Sequence, residues 1–350
     1  MDNPVKIAIA GGGYGSKVAL PVYQELEEFE PVAIWSRTPE RAQELADDYD
    51  LELGTSDLDE LLSVDGLEAL HVATPVVTHA QFAIPAAERG LHLMCEKPIG
   101  DNMEEARRIV DAIRTAGVVG AVDYGRRFQE SRQRVIECVR EVVGRPRMAS
   151  VSLIRDDHAE PDSRPFTWVH DASLGGGRLQ GYGVHDLDLL IEAFPDLEVE
   201  AVAAALEVGV PERPGSDGSM QRVTAEDAYV VVLRFRGGGL ATVSMAATAH
   251  HGRGDVVEVY GDEGSVTLDA EQKLWWARAG EELRCEGPLE SSSTEAYKRV
   301  ARNFWAAIRE GAPADPPLEE GLRVQAVFDA ARAAAVERRW VQPEPVYAEA

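Results

Sequence analysis

The chain has 350 residues, of which 45% are hydrophobic, and this length predicts two domains, each with its own core. The formal net charge of -26 argues against nucleic acid and anionic membranes as partners. No apolar run approaches the roughly 20 residues of a membrane span, and no signal peptide precedes the first strand, so a cytoplasmic protein is expected. The three cysteines lack metal-ligand spacing, so neither zinc nor a disulfide is predicted.

Short apolar runs alternate with amphipathic stretches in residues 1–123, which is typical of βαβ units and of a parallel sheet covered on both faces. The pattern predicts an α/β fold with an N-terminal Rossmann domain, that is, a doubly wound parallel sheet. Its strands are expected at residues 5–10, 32–36, 69–74, 91–95 and 118–122.

The pattern changes in residues 124–350, which are predicted to form an α+β domain for substrate binding and oligomerisation. Alternating segments joined by glycine turns indicate a large, mostly antiparallel open sheet. Because an exposed sheet face seldom stays uncovered, we expect a homo-oligomer, a dimer or a tetramer. Predicted strands occupy residues 148–154, 228–235, 240–246, 256–260, 265–268 and 274–277, and predicted helices occupy 132–143, 294–309 and 318–338.

The first predicted strand is followed by the glycine-rich loop GGGYGS, residues 11–16. Gly11, Gly13 and Gly15 would let backbone N–H groups approach a pyrophosphate, and Tyr14 and Ser16 complete the expected cofactor loop. Ser16 replaces the third glycine of G-x-G-x-x-G, so it adds a hydrogen-bond donor and loses close helix–strand packing. A bare glycine turn is the alternative, and the parallel-type strands that follow favour a dinucleotide.

The second predicted strand ends in Ser36, Arg37 and Thr38, where an Asp or Glu would bind the adenosine 2′-hydroxyl of NAD. Two hydroxyls and a guanidinium complement a 2′-phosphate instead. We therefore expect NADP as the cofactor, with NAD as the second choice and an ordinary surface arginine as the alternative.

Six motifs in order give the chain a resemblance to a known family. They are the glycine loop, Thr74-Pro75 with His79, Glu96-Lys97-Pro98, GGGRLQGYGVHDLD from residue 175, EVYGDEGSVTLD from residue 258, and PPLEEGLRVQ from residue 316. With these motifs the chain resembles the Gfo/Idh/MocA oxidoreductases over nearly its whole length.

The resemblance implies an NAD(P)-dependent oxidoreductase that moves a hydride between nicotinamide and a CH–OH carbon of a sugar, polyol or related ring. It implies that Lys97 lies beside the nicotinamide and the substrate hydroxyl, and that the bond before Pro98 is a candidate for the cis form. Glu96 would meet the nicotinamide ribose. Further residues implied to line this cleft are Thr74, Pro75 and His79, and a structural role is an equal alternative for His79.

The second-domain motif departs from the family at Gly181, where an Asp is usual, whereas His185 and Asp188 are retained. We expect His185 to share the proton transfer with Lys97. A position at the start of a helix would keep its ring neutral. Asp188 is expected on the polar side of that helix.

Three further residues are candidates for substrate binding with less support from the sequence. Arg127 matches an arginine often found just after the cofactor domain in such proteins, and Trp168 with Tyr182 could stack on a sugar, although core packing explains the aromatic pair equally well.

The missing acid at Gly181 leaves an alternative open, a non-catalytic NADP(H)-binding regulator or scaffold. A third interpretation is a tightly held cofactor that serves a net non-redox reaction.

Overall fold

The structure is a computed structural model that describes residues 4–346. The chain divides into two compact units. The first comprises the residues up to Phe128 together with Ser292–Gln325, and the second comprises Gln129–Ser291 together with the residues after Gln325. The return of Ser292–Gln325 to the first unit adds a late segment of the chain to the domain that the sequence places at residues 1–123.

The strands and α-helices are labelled in chain order. The strands are β1 Val5–Ala10, β2 Phe29–Trp35, β3 Leu53–Thr55, β4 Ala69–Val72, β5 His92–Cys95, β6 Gly120–Val122, β7 Pro146–Ile154, β8 Val199–Glu207, β9 Glu212–Pro214, β10 Met220–Arg222, β11 Ala228–Phe235, β12 Leu240–Ala246, β13 Gly254–Gly261, β14 Gly264–Leu268, β15 Leu274–Arg278 and β16 Arg284–Glu286. The helices are α1 Leu20–Glu25, α2 Pro39–Tyr49, α3 Leu58–Leu61, α4 His79–Glu88, α5 Met103–Ala116, α6 Glu130–Cys138, α7 Val184–Ala193, α8 Ser293–Arg309 and α9 Glu320–Glu337.

The first unit contains a six-stranded sheet in the order β3-β2-β1-β4-β5-β6, and every neighbouring pair is parallel. The predicted doubly wound Rossmann sheet is therefore confirmed. Capping side chains set the starts of its helices, because Thr38 accepts a hydrogen bond from the backbone N–H of Arg41 and Asn102 accepts one from Glu105. Since parallel strands end at the same edge, the loops that follow β1, β2, β4 and β5 lie at one edge of the sheet.

The second unit contains an eight-stranded sheet in the order β16-β15-β14-β13-β7-β12-β11-β8. Only the pair β7 and β12 is parallel in this sheet, so the predicted mostly antiparallel sheet is confirmed. The polar segment 209–224 holds the β9–β10 hairpin, and the segment 155–174 holds three short 3₁₀ turns.

Apolar side chains stand on one exposed face of this second sheet. Met148, Leu240 and Tyr260 are neighbours across β12, β7 and β13, and each is between 40% and 46% exposed. The homo-oligomer expected from such a face stays a prediction. Within residues 4–346, no helix is long and apolar enough to cross a membrane.

Candidate active site

The glycine loop after β1 lies very close to the backbone at the end of β4. A Cβ atom at Gly11, whose φ is 139°, would stand 2.4 Å from the carbonyl oxygen of Ala73. A Cβ atom at Gly15 would stand 2.8 Å from Cγ2 of Ile9. Gly15 therefore provides the close helix–strand packing, and the expectation that Ser16 costs this packing is wrong.

In this structure the hydroxyl of Ser16 donates within the loop, and its expected bond to a cofactor stays a prediction. Its side chain is buried, and its hydroxyl donates to the backbone oxygen of Gly12 at 2.9 Å. Gly13 and Tyr14 are the exposed residues of the loop, and a Cβ atom at Gly13 would have no neighbour within 4 Å. Exposed backbone followed by a helical turn is the arrangement that a pyrophosphate requires.

The segment after β2 presents a guanidinium. Ser36 is buried beneath the glycine loop, and Thr38 serves as the N-cap of α2. Arg37 is exposed, and in the part of the chain that the structure describes it forms no ion pair or hydrogen bond through its side chain. Of these three residues, Arg37 has the side chain that is available to a ligand.

His79 lies beneath the turn that follows β4 and Thr74-Pro75. Its ring is buried, with Nε2 3.0 Å from the backbone oxygen of Thr74 and Nδ1 3.6 Å from Sγ of Cys95. Burial lowers the pKa of His79 to about 4. In this position the histidine fixes the turn, whereas Thr74 and Pro75 border the sheet edge themselves.

Glu96 and Asp123, at the ends of β5 and β6, form a buried carboxyl pair that sequence analysis did not identify. The two side chains are hydrogen-bonded to each other. Burial raises the pKa of both groups, and the charge of Glu96 raises that of Asp123 further. Two carboxyl groups in such contact hold one proton between them, so the pair carries one negative charge. Its position at two adjacent strand ends is the signal that could have revealed Asp123.

A buried histidine extends this polar group beneath the sheet edge. Nε2 of His71 lies 3.7 Å from Oε1 of Glu96, and Nδ1 contacts the hydroxyls of Tyr23 and Tyr297 at 3.2 and 3.0 Å. Burial lowers the pKa of His71 to about 4, so the ring is neutral at neutral pH. The two tyrosine hydroxyls hold the ring in place. Because the ring is uncharged, it does not offset the negative charge of the carboxyl pair.

Lys97 follows the carboxyl pair directly and is partly exposed. Its positive charge acts on both Glu96 and Asp123. The peptide bond between Lys97 and Pro98 is cis, as the resemblance suggests. The first unit thus places a lysine, a shared negative charge and the glycine loop at one edge of the sheet.

Arg127 has a different environment from the one expected of a substrate ligand. It is buried, and its Nη1 lies 2.7 Å from Oε2 of Glu320 at the start of α9. The guanidinium also stands over the ring of Tyr124, at 5.9 Å from its centroid. These contacts hold the segment after β6 against α9 and support packing.

In the second unit, His185 does not lie at the start of a helix. The π-helical turn Leu179–Gly183 continues directly into α7, and Gly183 has helical dihedral angles. The backbone N–H groups near His185 are therefore inside a helical segment, and the dipole argument for a neutral ring does not apply. Asp188, expected on the side of the helix opposite its apolar stripe, is buried.

Two other predicted residues of the second unit are aromatic. Trp168 is 43% exposed and begins a 3₁₀ turn, and Tyr182 lies under the guanidinium of Arg178, whose Cζ is 5.8 Å from the ring centroid. A Cβ atom at Gly181 would have no neighbour within 4 Å. A Cβ atom could therefore be added at this position without a clash, although the usual acid is missing from the sequence.

A buried ion cluster anchors the helix that carries His185. Nη2 of Arg132 in α6 donates to Asp186 at 2.8 Å and to Asp255 of β13 at 2.9 Å. Arg132 and Asp186 are both almost completely buried. Because Asp186 is the next residue after His185, this cluster fixes the position of the histidine backbone.

Comparison with known proteins identifies the family. Residues 5–124 match the model described as "Oxidoreductase family, NAD-binding Rossmann fold", and residues 136–342 match "Oxidoreductase family, C-terminal alpha/beta domain". The chain belongs to the Gfo/Idh/MocA oxidoreductase family. The predicted NAD(P)-dependent oxidoreductase is thereby confirmed, as is a nicotinamide dinucleotide as its cofactor.

Individual members of the Gfo/Idh/MocA family align with nearly the whole chain. Levoglucosan dehydrogenase of Pseudarthrobacter phenanthrenivorans is 26% identical over 97% of this chain and 98% of its own. The D-xylose 1-dehydrogenase (NADP(+)) 2 of Haloferax volcanii is 26% identical over 91% and 93%. A solved levoglucosan dehydrogenase in complex with NADH and levoglucosan superposes with a TM-score of 0.85 at 26% identity, over 98% of this chain and all of that one.

The carboxyl pair predicts how stability depends on pH. A carboxyl group whose folded pKa is raised stabilises the fold at low pH, and this contribution is lost as pH rises from the unfolded value, about 4, through the folded value. Asp123→Asn keeps the acceptor for the N–H of Gly125 and donates to Glu96 without needing a proton. Between pH 5 and 8 we expect the free energy of unfolding to fall less steeply for Asp123→Asn than for wild type.

This expectation is checked by urea unfolding at four pH values. Asp196→Asn, at an exposed position, is the matched control and should follow the wild-type profile. Parallel profiles for all three proteins would show that Glu96 and Asp123 do not share a proton.

The ion cluster predicts a large effect on folding. Arg132→Met leaves Asp186, which is 0% exposed, without its positive partner, and we expect a loss of about 3 to 5 kcal/mol in urea unfolding. Arg236→Met removes an arginine from an exposed pair with Glu198 and should change stability little. Equal, small losses in both variants would contradict the anchoring role of Arg132.

Proposed function

We propose that this oxidoreductase is an NADP(H)-dependent dehydrogenase of a sugar or polyol, in which Lys97 exchanges the proton of the reacting hydroxyl. The observation that carries the proposal is the position of Lys97 in the first unit. It follows β5 at the sheet edge that also bears the glycine loop, and it adjoins the singly charged pair of Glu96 and Asp123. Doubly wound sheets bind their ligands at this edge.

The substrate class is supported by the relatives. The levoglucosan dehydrogenase and the D-xylose dehydrogenase act, by their names, on sugars, and both align with more than nine-tenths of this chain. We carry this class over to the present chain as a proposal, together with the polyols that the family resemblance implies.

The first unit supports a simple division of roles. A bound nicotinamide would accept the hydride from the substrate carbon. As the hydride leaves, Lys97 would take up the hydroxyl proton, and the negative charge of the carboxyl pair lies beside the positive charge that results. Glu96 contributes to this charge and is also the candidate for binding the ribose. In the reverse direction Lys97 returns the proton.

The preference for NADP(H) rests on Arg37. The segment Ser36-Arg37-Thr38 has no carboxylate to repel a 2′-phosphate, and the exposed guanidinium is available to bind one. The NADH complex of the levoglucosan dehydrogenase shows that a member of the family binds NAD. The preference for NAD or NADP therefore has to be determined for each member separately.

Cofactor preference is tested with Arg37→Ala. Charge-assisted hydrogen bonds to phosphate contribute about 1.5 to 3 kcal/mol, so the affinity for NADPH should fall by roughly 10- to 150-fold while that for NADH stays nearly constant. Fluorescence titration with each cofactor measures both affinities, and Arg108→Ala, a change at an exposed position of α5, is the control. Equal losses for NADPH and NADH would reject the assignment.

Proton transfer is tested by separate variants in the two units. Lys97→Met keeps the side-chain length and should lower turnover by about 10² to 10⁴, with cofactor affinity nearly unchanged. His185→Ala should lower turnover by roughly 10², if His185 shares the proton. Lys273→Met, at an exposed position, is the control. Turnover of Lys97→Met within a few-fold of wild type would show that the lysine is structural.

A regulator that binds NADP(H) without turnover is the second candidate, and Gly181 in place of an acid favours it. Retention of both Lys97 and His185 supports the dehydrogenase. A panel of sugars and polyols with NADP⁺ and NAD⁺ separates the two candidates, since a regulator binds the cofactor tightly and reduces none of it.

A further inference from the structure

A concentration of positive charge lies in the second unit, and the activity proposed above does not account for it. We call it the arginine–histidine cluster, and its members are Arg155, Arg164, Arg178, Arg213, His158 and His170. Asp157 adjoins it, with oxygens 3.5 to 3.8 Å from Arg155, Arg164 and His158, and the charge of buried Asp227 acts on Arg213 and His170. Over the whole chain Asp and Glu outnumber Lys and Arg by 61 to 35, so a cluster with this excess of arginine reverses the general balance of charge.

Arg178 is the member best placed to bind an anion. Its Nη2 contacts both ring nitrogens of His158, with 2.8 Å to Nδ1, and its guanidinium stands over Tyr182. Among residues 4–346 no carboxylate lies within ion-pair distance of it. A half-buried guanidinium whose protein partners are neutral rings retains N–H donors that suit an anionic oxygen.

His170 supplies an independent observation. It is 5% exposed, and its Nδ1 accepts a hydrogen bond from the backbone N–H of Thr167 at 3.0 Å. Burial, together with the charges of Arg213 and Arg178, lowers the pKa of His170 to about 4. The neutral ring therefore carries its proton on Nε2, and this buried donor has no acceptor among the described residues. A buried donor without an acceptor costs free energy, which a ligand oxygen would recover.

The cluster is held in place by a buried arginine. Arg213 is fully buried, and its terminal nitrogens donate to the backbone oxygens of His158, Glu160, Pro161 and Arg164. These bonds fix the segment that carries His158 and Arg164. The rings of His158 and His170 then pack with their centroids 5.6 Å apart, beside Arg178.

The cluster adjoins the helical segment of His185. Arg178 immediately precedes the π-helical turn Leu179–Gly183, which continues into the helix that carries His185. The ring of Tyr182 in that turn lies under the guanidinium of Arg178. The candidate anion donor and the candidate catalytic histidine therefore belong to one continuous segment of the second unit.

We propose that the arginine–histidine cluster is a subsite for an anionic group on the substrate, a carboxylate or a phosphate, with Arg178 and His170 as its donors. The inference rests on the proposed function, which it narrows from neutral sugars to sugar acids or sugar phosphates. Arg178 is a specificity-determining residue in this account, and Arg213 is a positioning residue.

The test compares acidic and neutral sugars of the same skeleton. The probes are D-glucuronate and D-galacturonate, D-glucose 6-phosphate, and the neutral D-glucose and D-galactose, each with NADP⁺ and with NAD⁺ at fixed salt. For the wild type we expect kcat/KM for one acidic class to exceed that of its neutral parent by at least about tenfold. A preference for the uronates assigns the anion as carboxylate, and a preference for the 6-phosphate assigns it as phosphate.

The variant Arg178→Gln then isolates the subsite. It should lower kcat/KM for the preferred acid by roughly 10- to 150-fold, mainly through KM, and leave the neutral sugars within about threefold. Arg236→Gln removes one exposed positive charge from the same unit and is the matched control. Calorimetric titration of both variants with the preferred acid measures binding without turnover.

The outcomes separate this inference from the proposed function. Neutral sugars that are oxidised as well as the acids would overturn the subsite and leave the dehydrogenase intact. Equal losses on acidic and neutral sugars in Arg178→Gln would also overturn it, because they indicate a structural role. If no sugar is oxidised but an acid binds to wild type and not to Arg178→Gln, the subsite stands and the dehydrogenase fails.

Discussion

The close approach of the first loop to the end of β4 is the constraint on which the first unit depends. Gly11 lies so near the carbonyl group of Ala73 that a single added carbon would collide with it. Gly15 lies as near to the side chain of Ile9 in β1. Because the loop backbone packs this closely against β1 and the end of β4, Gly13 and Tyr14 are exposed at the sheet edge. The loops after β4 and β5 lie at the same edge. The fold therefore brings the cofactor loop and Lys97 to one edge.

Burial, and not the overall charge, determines the electrostatics of the candidate sites. Glu96 and Asp123 are both removed from water, so they hold one proton between them and provide Lys97 with one negative charge. In the second unit Arg132 neutralises buried Asp186 beside His185. The arginine–histidine cluster differs from these two groups, because Arg178 contacts rings and no carboxylate. In the first two groups each charge has a protein partner of opposite charge, whereas the third group has donors for a ligand.

Much of the fold could be predicted from the sequence, because a buried strand appears there as a short run of apolar residues. The strands β1, β11 and β12 begin and end at the predicted residues. Five strands were missed, and the reasons are physical. β3, β9, β10 and β16 have only three residues each. β8, with the sequence VEAVAAALE, is rich in alanine, which favours helices.

The residues of the candidate sites could be predicted only where they belong to a short motif that is contiguous in sequence. The glycine loop and Glu96-Lys97-Pro98 are contiguous in sequence, so their position at the sheet edge follows from the strand order. His71 with Glu96, and Arg132 with Asp186, come together only in the folded chain, and no spacing rule predicts such pairs. The start of the helix before His185 was misjudged because Leu179–Gly183 contains two glycines, which resemble a loop, yet it forms a π-helical turn.

The most direct test of the central claim follows the hydride itself. Wild-type protein would be mixed with NADP⁺ and with the substrate found in the panel, deuterated at its reacting carbon, and the cofactor would be examined by NMR. Direct transfer predicts that deuterium appears at C4 of the reduced nicotinamide, in one stereochemical position and in equal amount to the product formed. Product formation with deuterium released to water and none on the nicotinamide would contradict the account.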